Sequence, residues 1–283
     1  EFAGRLSYNF NIFGNLFEQV CKFRAGRSLW ARIMKEQYKA EKPGSMWLRM
    51  IAAGGGGGLT FEQPELNIVR GAYYALISAL SGTQTMALCS FDEAYTIPTE
   101  YSARISLRTM QILIEEMGLT ETVDPLGGSY YVETMTNRMR QKMEEIIAET
   151  DAQGGIVKLV AEGALQAKVS AQAYQMQRDI ESGRFPKVGV NRYRNEKEDE
   201  HPVEFHPYNE DDARVQIDGL ARVRAERDDA AVARALERVA RDAAAGINLM
   251  PAIVEAVKAY ASVGEITKQM VKVFGRYREP IRF

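Results

Sequence analysis

Cysteine and histidine are scarce in this chain, which has two of each among 283 residues. Cys21 and Cys89 lie far apart in unrelated contexts, so they form neither a disulfide framework nor the close spacing of metal ligands. This scarcity predicts a reducing, cytoplasmic location and no metal site built by this chain alone.

Long apolar runs and an excess of one charge are also lacking. No stretch reaches the roughly 20 apolar residues of a membrane span, and the N-terminus has neither the basic region nor the apolar block of a signal peptide. The formal net charge is −2, and no basic tract of the nucleic-acid-binding type occurs. We therefore expect no membrane and no nucleic acid among the partners. Because the sequence does not begin with methionine, we expect a fragment or a processed piece of a longer chain.

Residues 1–118 repeat one pattern three times, with a short strand-like run, a loop and a long amphipathic helix. The strand-like runs are Leu6–Phe10, Met46–Ala53 and Thr83–Ser90. Consecutive units of this kind predict an α/β fold with parallel strands and right-handed helical crossovers. The candidates are a doubly wound sheet and the C-terminal part of a (β/α)₈ TIM barrel, which would need about five further strands.

The apolar pattern of residues 119–283 predicts a mostly helical region after the barrel. Helical spacing of apolar residues covers 133–150, 155–181 and 211–243, and a last pair of helices lies within 248–274. The stretch 183–210 is rich in turn residues and charge, so we expect it to be irregular.

Five consecutive glycines, Gly54–Gly58, follow the second strand-like run. A flexible linker would join domains and contain Ser or Thr, which this run does not. Neither common phosphate-loop template fits, because Leu59 stands where a third glycine is needed and no lysine follows. An anion-binding nest of backbone N–H groups and a loop without a ligand are alternatives. The position after a barrel strand favours a bare loop that a ligand approaches closely.

Charged residues lie close to all three strand-like runs. Asp92 and Glu93 follow the third run, where one carboxylate is expected to accept hydrogen bonds from a ligand hydroxyl and the other to cap the next segment. Arg5 and Arg49 lie at or within the first two runs. A guanidinium in an apolar strand needs an anionic partner, which is either a ligand or a buried salt bridge.

Several distinctive motifs follow one another along the chain. They are Arg5-Leu-Ser7, Glu18-Gln-Val-Cys-Lys-Phe-Arg-Ala-Gly-Arg-Ser-Leu-Trp-Ala31, Gly82-Thr-Gln-Thr85, Phe91-Asp-Glu-Ala94, Pro98-Thr-Glu-Tyr-Ser-Ala-Arg104, Asp124-Pro-Leu-Gly-Gly-Ser-Tyr-Tyr-Val-Glu133 and Val188-Gly-Val-Asn191. These motifs resemble, in the same order, those of the adenosylcobalamin-dependent acyl-CoA mutases of the methylmalonyl-CoA mutase type. The resemblance covers essentially the whole chain, but only the second half of a large catalytic subunit, from about the sixth barrel strand onward.

The resemblance implies an isomerase that performs a radical 1,2-rearrangement of the carbon skeleton of an acyl-CoA. It implies adenosylcobalamin as cofactor, an acyl-CoA as substrate, and coenzyme A threaded along the barrel axis with the corrin across the carboxyl-terminal face. The Asp-x-His-x-x-Gly cobalt-ligand motif is absent from these residues. The expected partners are therefore the N-terminal half of the barrel and a separate cobalamin-binding subunit, in a hetero-oligomer.

The same resemblance assigns roles to individual residues. Catalytic positions are Asn9, Gln84 and Glu93, of which Glu93 matches the carboxylate that binds the adenosyl ribose. Positions that bind cofactor or coenzyme A are Arg5, Ser7, Arg49, Ala53, Gly56, Gly57, Thr85, Cys89, Ser90, Glu93 and Ala94.

The chain also departs from the family pattern near the expected acyl pocket. Ile51, Ala53 and Gly57 replace a histidine, a glutamine and a tryptophan, respectively. Asn9 stands where an aromatic residue is usual, and Cys89 replaces an asparagine that helps to hold the ribose. These departures predict an altered acyl-CoA specificity. The alternatives are a non-catalytic CoA-binding or assembly module and, less favoured because the templates fail, a phosphate-loop nucleotide enzyme.

Overall fold

The computed structural model describes residues 2–194 and 204–280. These residues fall into two compact units that divide between His206 and Pro207. The first contains every described strand, and the second is helical. None of the described helices combines the length and apolar character needed to cross a membrane. The boundary near residue 118, drawn from the strand and helix pattern, stays a prediction.

Three parallel strands form the sheet of the first unit. They are β1 (Tyr8–Ile12), β2 (Met50–Gly54) and β3 (Thr85–Leu88), in the order β1-β2-β3. The predicted α/β class with parallel strands is confirmed, while the closed barrel stays a prediction. The prediction that the second strand begins at Met46 is wrong, because Pro43–Ser45 forms a 3₁₀ helix that ends with a bond from the Met46 N–H to the Pro43 carbonyl.

One long helix follows each strand. These helices are α1 (Leu16–Glu36), α2 (Leu66–Leu80) and α3 (Glu100–Glu115). Asn15 caps α1 by accepting from the Glu18 N–H, and Thr99 caps α3 by accepting from the Ser102 N–H. Such caps satisfy backbone donors that have no partner inside the helix, so they define where each helix begins.

The two faces of the sheet differ in burial. One face packs against the helices, and the core there includes Ile12, Phe23, Met50, Ala52 and Ile77. The opposite face exposes Asn9, Asn11, Thr85 and Ala87. Parallel sheets normally have both faces covered, so the described residues leave one face of this sheet without the cover it requires.

Helices α4 (Tyr130–Ala152), α5 (Ile156–Ala161) and α6 (Ala164–Glu181) complete the regular structure of the first unit. The prediction of one helix over 155–181 is wrong, because Gly163 adopts a left-handed conformation with φ 75° and separates α5 from α6. Residues 183–194 form turns in which the Asn191 amide donates to the carbonyls of Ile180 and Phe185 at 2.7 and 2.8 Å. Residues 195–203 of the stretch predicted to be irregular lie outside the described residues.

The second unit consists of helices α7 (Glu210–Glu226), α8 (Asp229–Ala244), α9 (Met250–Lys258) and α10 (Val263–Phe274). The prediction of one helix over 211–243 is wrong, because the Asp228 side chain caps α8 by accepting from two backbone N–H groups. Arg227, between α7 and α8, donates to both carboxylate oxygens of Glu265 at 2.8 and 2.7 Å. This bidentate pair ties the α7–α8 corner to the start of α10.

Candidate functional site

The predicted site residues lie at opposite ends of the parallel sheet. Those before or at the start of the strands are Arg5, Ser7, Arg49, Gln84 and Thr85, and those after the strands are Gly56, Gly57, Cys89, Ser90, Glu93 and Ala94. Asn9 and Ala53 lie within β1 and β2. Because a strand rises about 3.3 Å per residue, five-residue strands separate the two groups by roughly 15 Å.

At the amino end of the strands, four of these residues share one cavity of about 520 Å³. It is lined by Ser7, Trp47, Arg49, Met50, Ile51, Gln84 and Thr85. Arg5 is exposed in the 3₁₀ helix Ala3–Arg5 and does not line this cavity. The cavity combines a cation, two hydroxyls and a carboxamide with apolar walls, as suits a ligand that is part charged and part apolar.

Both arginines were predicted to lie at or within strand-like runs. Arg49 directly precedes β2, and Arg5 ends the 3₁₀ helix before β1, so neither lies within a strand. The half-buried Arg49 guanidinium donates to the backbone carbonyl of Gly4. Among the residues that the structure describes, neither arginine makes an ion pair with a carboxylate. A buried salt bridge therefore does not account for Arg49, and its charge can serve an anionic ligand.

Gln84 is held by the neighbouring strand. Its Oε1 accepts from the Met50 N–H at 2.8 Å, just before β3 begins. This bond orients the carboxamide, whose NH₂ group can donate to a ligand in the cavity.

Along the exposed face of the sheet, the strand register places Asn9 beside Ile51 and Ile51 beside Thr85, so these three residues form one row across the sheet.

The glycine run begins as strand and ends as a single turn. Gly54 ends β2, and Gly56–Gly58 form a 3₁₀ helix. None of the five has a positive φ, so left-handed backbone does not explain the run. The explanation has to be the space around each glycine.

Space divides the run into packed and open positions. A Cβ on Gly54 would lie 2.8 Å from Leu88 Cδ1, and a Cβ on Gly58 would overlap the Tyr74 ring and lie 3.0 Å from Phe13 Cβ. At Gly56 and Gly57, by contrast, an added Cβ would meet nothing within 4 Å. Gly58 is therefore required by packing, and a side chain at Gly54 would have to displace the end of Leu88. Gly56 and Gly57, by contrast, form an exposed patch of bare backbone.

Glu93 and Cys89 lie beside this patch. The Glu93 Oε1 accepts from the Ser90 N–H at 2.7 Å, and the Glu93 side chain is exposed. Burial, together with the nearby Glu93 carboxylate, raises the pKa of the Cys89 thiol to about 11, opposed by a hydrogen bond with the Gly56 backbone. Cys89 is thus protonated at neutral pH and lies between the glycine patch and the carboxylate.

The adjacent carboxylates Asp92 and Glu93 have different environments. Asp92 is only 2% exposed, and its Oδ2 accepts from the Thr99 N–H at 3.3 Å, just before α3. Asp92 thus bonds the residue that caps α3, while the cap itself is the Thr99 side chain. The Asp92 Oδ1 is buried without a hydrogen-bond partner among the described residues, whereas Glu93 is exposed and is the carboxylate that a ligand can reach.

The sequence matches the family model for methylmalonyl-CoA mutase over residues 1–276, nearly the whole chain. The chain belongs to the methylmalonyl-CoA mutase family.

Individual relatives give the extent of the match. The chain is 45% identical over 283 residues to a methylmalonyl-CoA mutase of Cereibacter sphaeroides, covering 100% of this chain and 40% of the relative. It is 42% identical over 282 residues to the 2-hydroxyisobutanoyl-CoA mutase large subunit of Aquincola tertiaricarbonis, covering 99% and 50%. The human mitochondrial methylmalonyl-CoA mutase is 38% identical over 280 residues, covering 98% and 37%. The chain thus spans at most half the length of these curated relatives.

Methylmalonyl-CoA mutases are isomerases, specifically intramolecular transferases, so family membership assigns the chain to an isomerase family.

Sequence reasoning missed two residues at the carboxyl end of the sheet. Asn67 is 1% exposed and Arg70 is half-buried, and together they contact Thr60 just after the glycine run. The available signal was an asparagine among the apolar residues of α2, a position that is costly unless its amide is fully hydrogen-bonded.

Proposed function

We propose that this chain is the catalytic part of an adenosylcobalamin-dependent acyl-CoA mutase that holds the acyl-CoA at one end of its sheet and the cofactor at the other. The observation that carries the proposal is the placement of two chemically different groups at opposite ends of one parallel sheet, with an exposed face between them. Family membership supports the reaction class, a rearrangement of an acyl-CoA carbon skeleton.

The amino-end cavity is proposed to bind the acyl-CoA. Arg49 supplies positive charge for an anionic part of the ligand, and the exposed Arg5 supplies a second guanidinium on the same side of the sheet. Ser7, Gln84 and Thr85 offer hydroxyl and carboxamide groups, and Gln84 is already oriented by Met50. We place Gln84 and Asn9, which lies farther along β1, beside the reacting acyl group.

The exposed face of the sheet is proposed to be the wall of the substrate channel. A parallel sheet with one open face needs further strands to cover it, and the chain spans only 40% and 50% of the relatives from Cereibacter sphaeroides and Aquincola tertiaricarbonis. We assign that cover to about five strands of the N-terminal half of a TIM barrel. In a closed barrel, Asn9, Ile51 and Thr85 would face the interior, where an acyl chain can pass.

The carboxyl end of the sheet fits adenosylcobalamin. A corrin is large and flat, and Gly56 and Gly57 form a patch with no atom within 4 Å of an added Cβ. Glu93 is exposed and can accept from a ribose hydroxyl, with Cys89, Ser90 and Ala94 beside it. When bound, adenosylcobalamin supplies the homolytic cleavage of its carbon–cobalt bond. The residues of this chain bind and orient the reactants and exclude water from them.

A separate subunit is proposed to supply the cobalt ligand. The Asp-x-His-x-x-Gly cobalt-ligand motif does not occur in these 283 residues. The relative from Aquincola tertiaricarbonis is named a large subunit, which supports a hetero-oligomer with a cobalamin-binding subunit.

We propose an acyl specificity that differs from that of methylmalonyl-CoA mutases. Gly57 leaves open space at the cofactor patch, and Ile51 puts an apolar side chain in the row between Asn9 and Thr85. Both features favour a wider and less polar pocket, for a bulkier or branched acyl group.

The test uses the complete enzyme with all of its subunits. Adenosylcobalamin is added with methylmalonyl-CoA or with a branched acyl-CoA, and electron paramagnetic resonance and product analysis follow the reaction. We expect a cobalt-coupled radical signal and a rearranged thioester only when the cofactor and an acyl-CoA are both present. Binding of acyl-CoA without signal or product would instead support a non-catalytic CoA-binding module. Rearrangement of methylmalonyl-CoA alone would contradict only the altered specificity.

A further inference from the structure

Asn67, near the start of α2, uses every hydrogen-bonding position of its side chain. Its Oδ1 accepts from the Thr60 N–H at 3.1 Å and from Arg70 Nη1 at 2.8 Å. Its Nδ2 donates to the Thr60 carbonyl at 2.8 Å and to the Phe91 carbonyl at 2.9 Å. A carboxamide has two donors and two acceptor positions, so this nearly fully buried side chain is completely satisfied.

The partners of Asn67 belong to two different loops. Thr60 lies in the loop between β2 and α2 that contains the glycine run, and Phe91 begins the turn after β3 that carries Glu93. In the sequence, these loops are separated by both α2 and β3. One side chain on that helix therefore holds both loops at the carboxyl end of the sheet.

Arg70 determines which way round the Asn67 amide lies. It donates to Asn67 Oδ1 and also to Thr60 Oγ1 at 2.8 Å, so the oxygen faces two donors and the nitrogen faces two carbonyls. A flipped amide would place donors against donors and acceptors against acceptors. The same guanidinium donates to the Val188 carbonyl at 2.7 Å and so braces this arrangement against the turn that follows α6.

We propose that Asn67 is a positioning residue that sets the glycine patch and the Glu93 carboxylate at the distance the adenosylcobalamin site requires. This inference rests on the proposed function. Asn67 acts through Thr60 and Phe91 and does not itself touch the ligand. Gly56 and Gly57 on one loop and Glu93 on the other would each bind the cofactor weakly if the loops moved independently.

Asn67→Asp is the most informative variant, because it conserves size and the acceptors facing Thr60 and Arg70. It replaces the NH₂ group by an oxygen that faces the carbonyls of Thr60 and Phe91. Arg70→Gln is a milder variant, since Arg70 is only half-buried. Ser78→Ala is the matched control, because Ser78 is buried on the same helix and its hydroxyl bonds Thr83, away from both loops.

The experiment measures hydrogen exchange and ligand affinity in the complete enzyme. For Asn67→Asp we expect faster exchange in both segments 54–60 and 88–94, even without cofactor. We also expect adenosylcobalamin affinity lowered by at least about tenfold, because both hydrogen bonds donated by the Asn67 NH₂ group are lost. The KM for acyl-CoA should change less than about twofold. Arg70→Gln should give a smaller change of the same kind, and Ser78→Ala should change neither loop.

Unchanged exchange in either segment for the folded Asn67 and Arg70 variants would overturn the inference. So would faster exchange with normal adenosylcobalamin affinity, because Asn67 would then have a structural role only. Failure of the proposed function would appear in the wild-type enzyme, as no binding of adenosylcobalamin. Failure of this inference would appear only in the variants.

Discussion

The two ends of the sheet present their candidate ligand groups in different ways. At the amino end, side chains such as Arg49 and Gln84 line an open cavity. At the carboxyl end, much of the surface is the bare backbone of Gly56 and Gly57, beside the buried residues Asn67 and Asp92. Side chains can adjust to a long, flexible, charged ligand. A flat, rigid ring instead needs a surface without side chains, and buried residues must fix the backbone of that surface in place.

The largest expected effect is a loss of stability when the packing of the glycine run at the carboxyl end is disrupted. We expect Gly58→Val to lower the free energy of unfolding by about 3 kcal/mol, because its side chain must displace the Tyr74 ring and Phe13. Gly57→Val, one residue away, should change it by less than about 0.5 kcal/mol, because its surroundings are open. Chemical denaturation of the two variants measures the difference. Equal destabilisation would contradict the division of the run into packed and open glycines.

The next effect tests whether the two ends of the sheet bind different ligands. Arg49→Met should raise the KM for acyl-CoA by about tenfold to a hundredfold, since hydrogen bonds to a charged group contribute about 1.5–3 kcal/mol. The affinity of this variant for adenosylcobalamin should be unchanged, because Arg49 lies before the strands and the proposed cofactor surface lies after them. Steady-state kinetics at varied concentrations of each ligand measures both.

Glu93→Gln is the matched control at the other end. It should weaken adenosylcobalamin and leave the KM for acyl-CoA nearly unchanged, because Glu93 lies in the turn after β3. If either variant weakened both ligands equally, the two ends would not be separate binding regions.

The smallest expected effect concerns Cys89 at the carboxyl end. Its pKa is raised to about 11, so at pH 8.5 iodoacetamide should label it at least about tenfold more slowly than an unfolded thiol. Between the ordinary pKa of 9.0 and about 11 the folded state keeps a proton that the unfolded state releases. Stability should therefore fall as pH rises through this window.

Mass spectrometry of the Cys89 peptide across pH 7–11 measures the labelling rate. Cys21 is fully buried and serves as an internal control that should react only after unfolding. Labelling of Cys89 at the rate of an unfolded thiol would show that neither burial nor Glu93 raises its pKa.

Much of the fold could be predicted from short-range sequence patterns. Asn15 and Thr99 each mark a helix start with a side chain that caps it, and the apolar spacing of α1 and α2 indicates helices. The breaks at Gly163 and Asp228 were missed, since helical periodicity continues through them and only the turn geometry interrupts it.

The site was predicted less completely. The glycine run and the charged residues were identified, but the partner of Arg49 proved to be the Gly4 carbonyl, which no pattern indicates. Asn67 was missed because its importance depends on Thr60 and Phe91, on either side of the helix that carries it.

The sequence by itself determined the three strand–helix units, the family and the position of the glycine run at the carboxyl end of a strand, because periodicity, caps and motifs are properties of neighbouring residues. Only the tertiary structure decided that Gly58 must be glycine while Gly57 is free, and that Asp92 is buried against Thr99 while Glu93 faces outward. Two neighbouring residues of the same or similar chemistry can therefore have different roles, because each one packs against different parts of the chain that are distant in sequence.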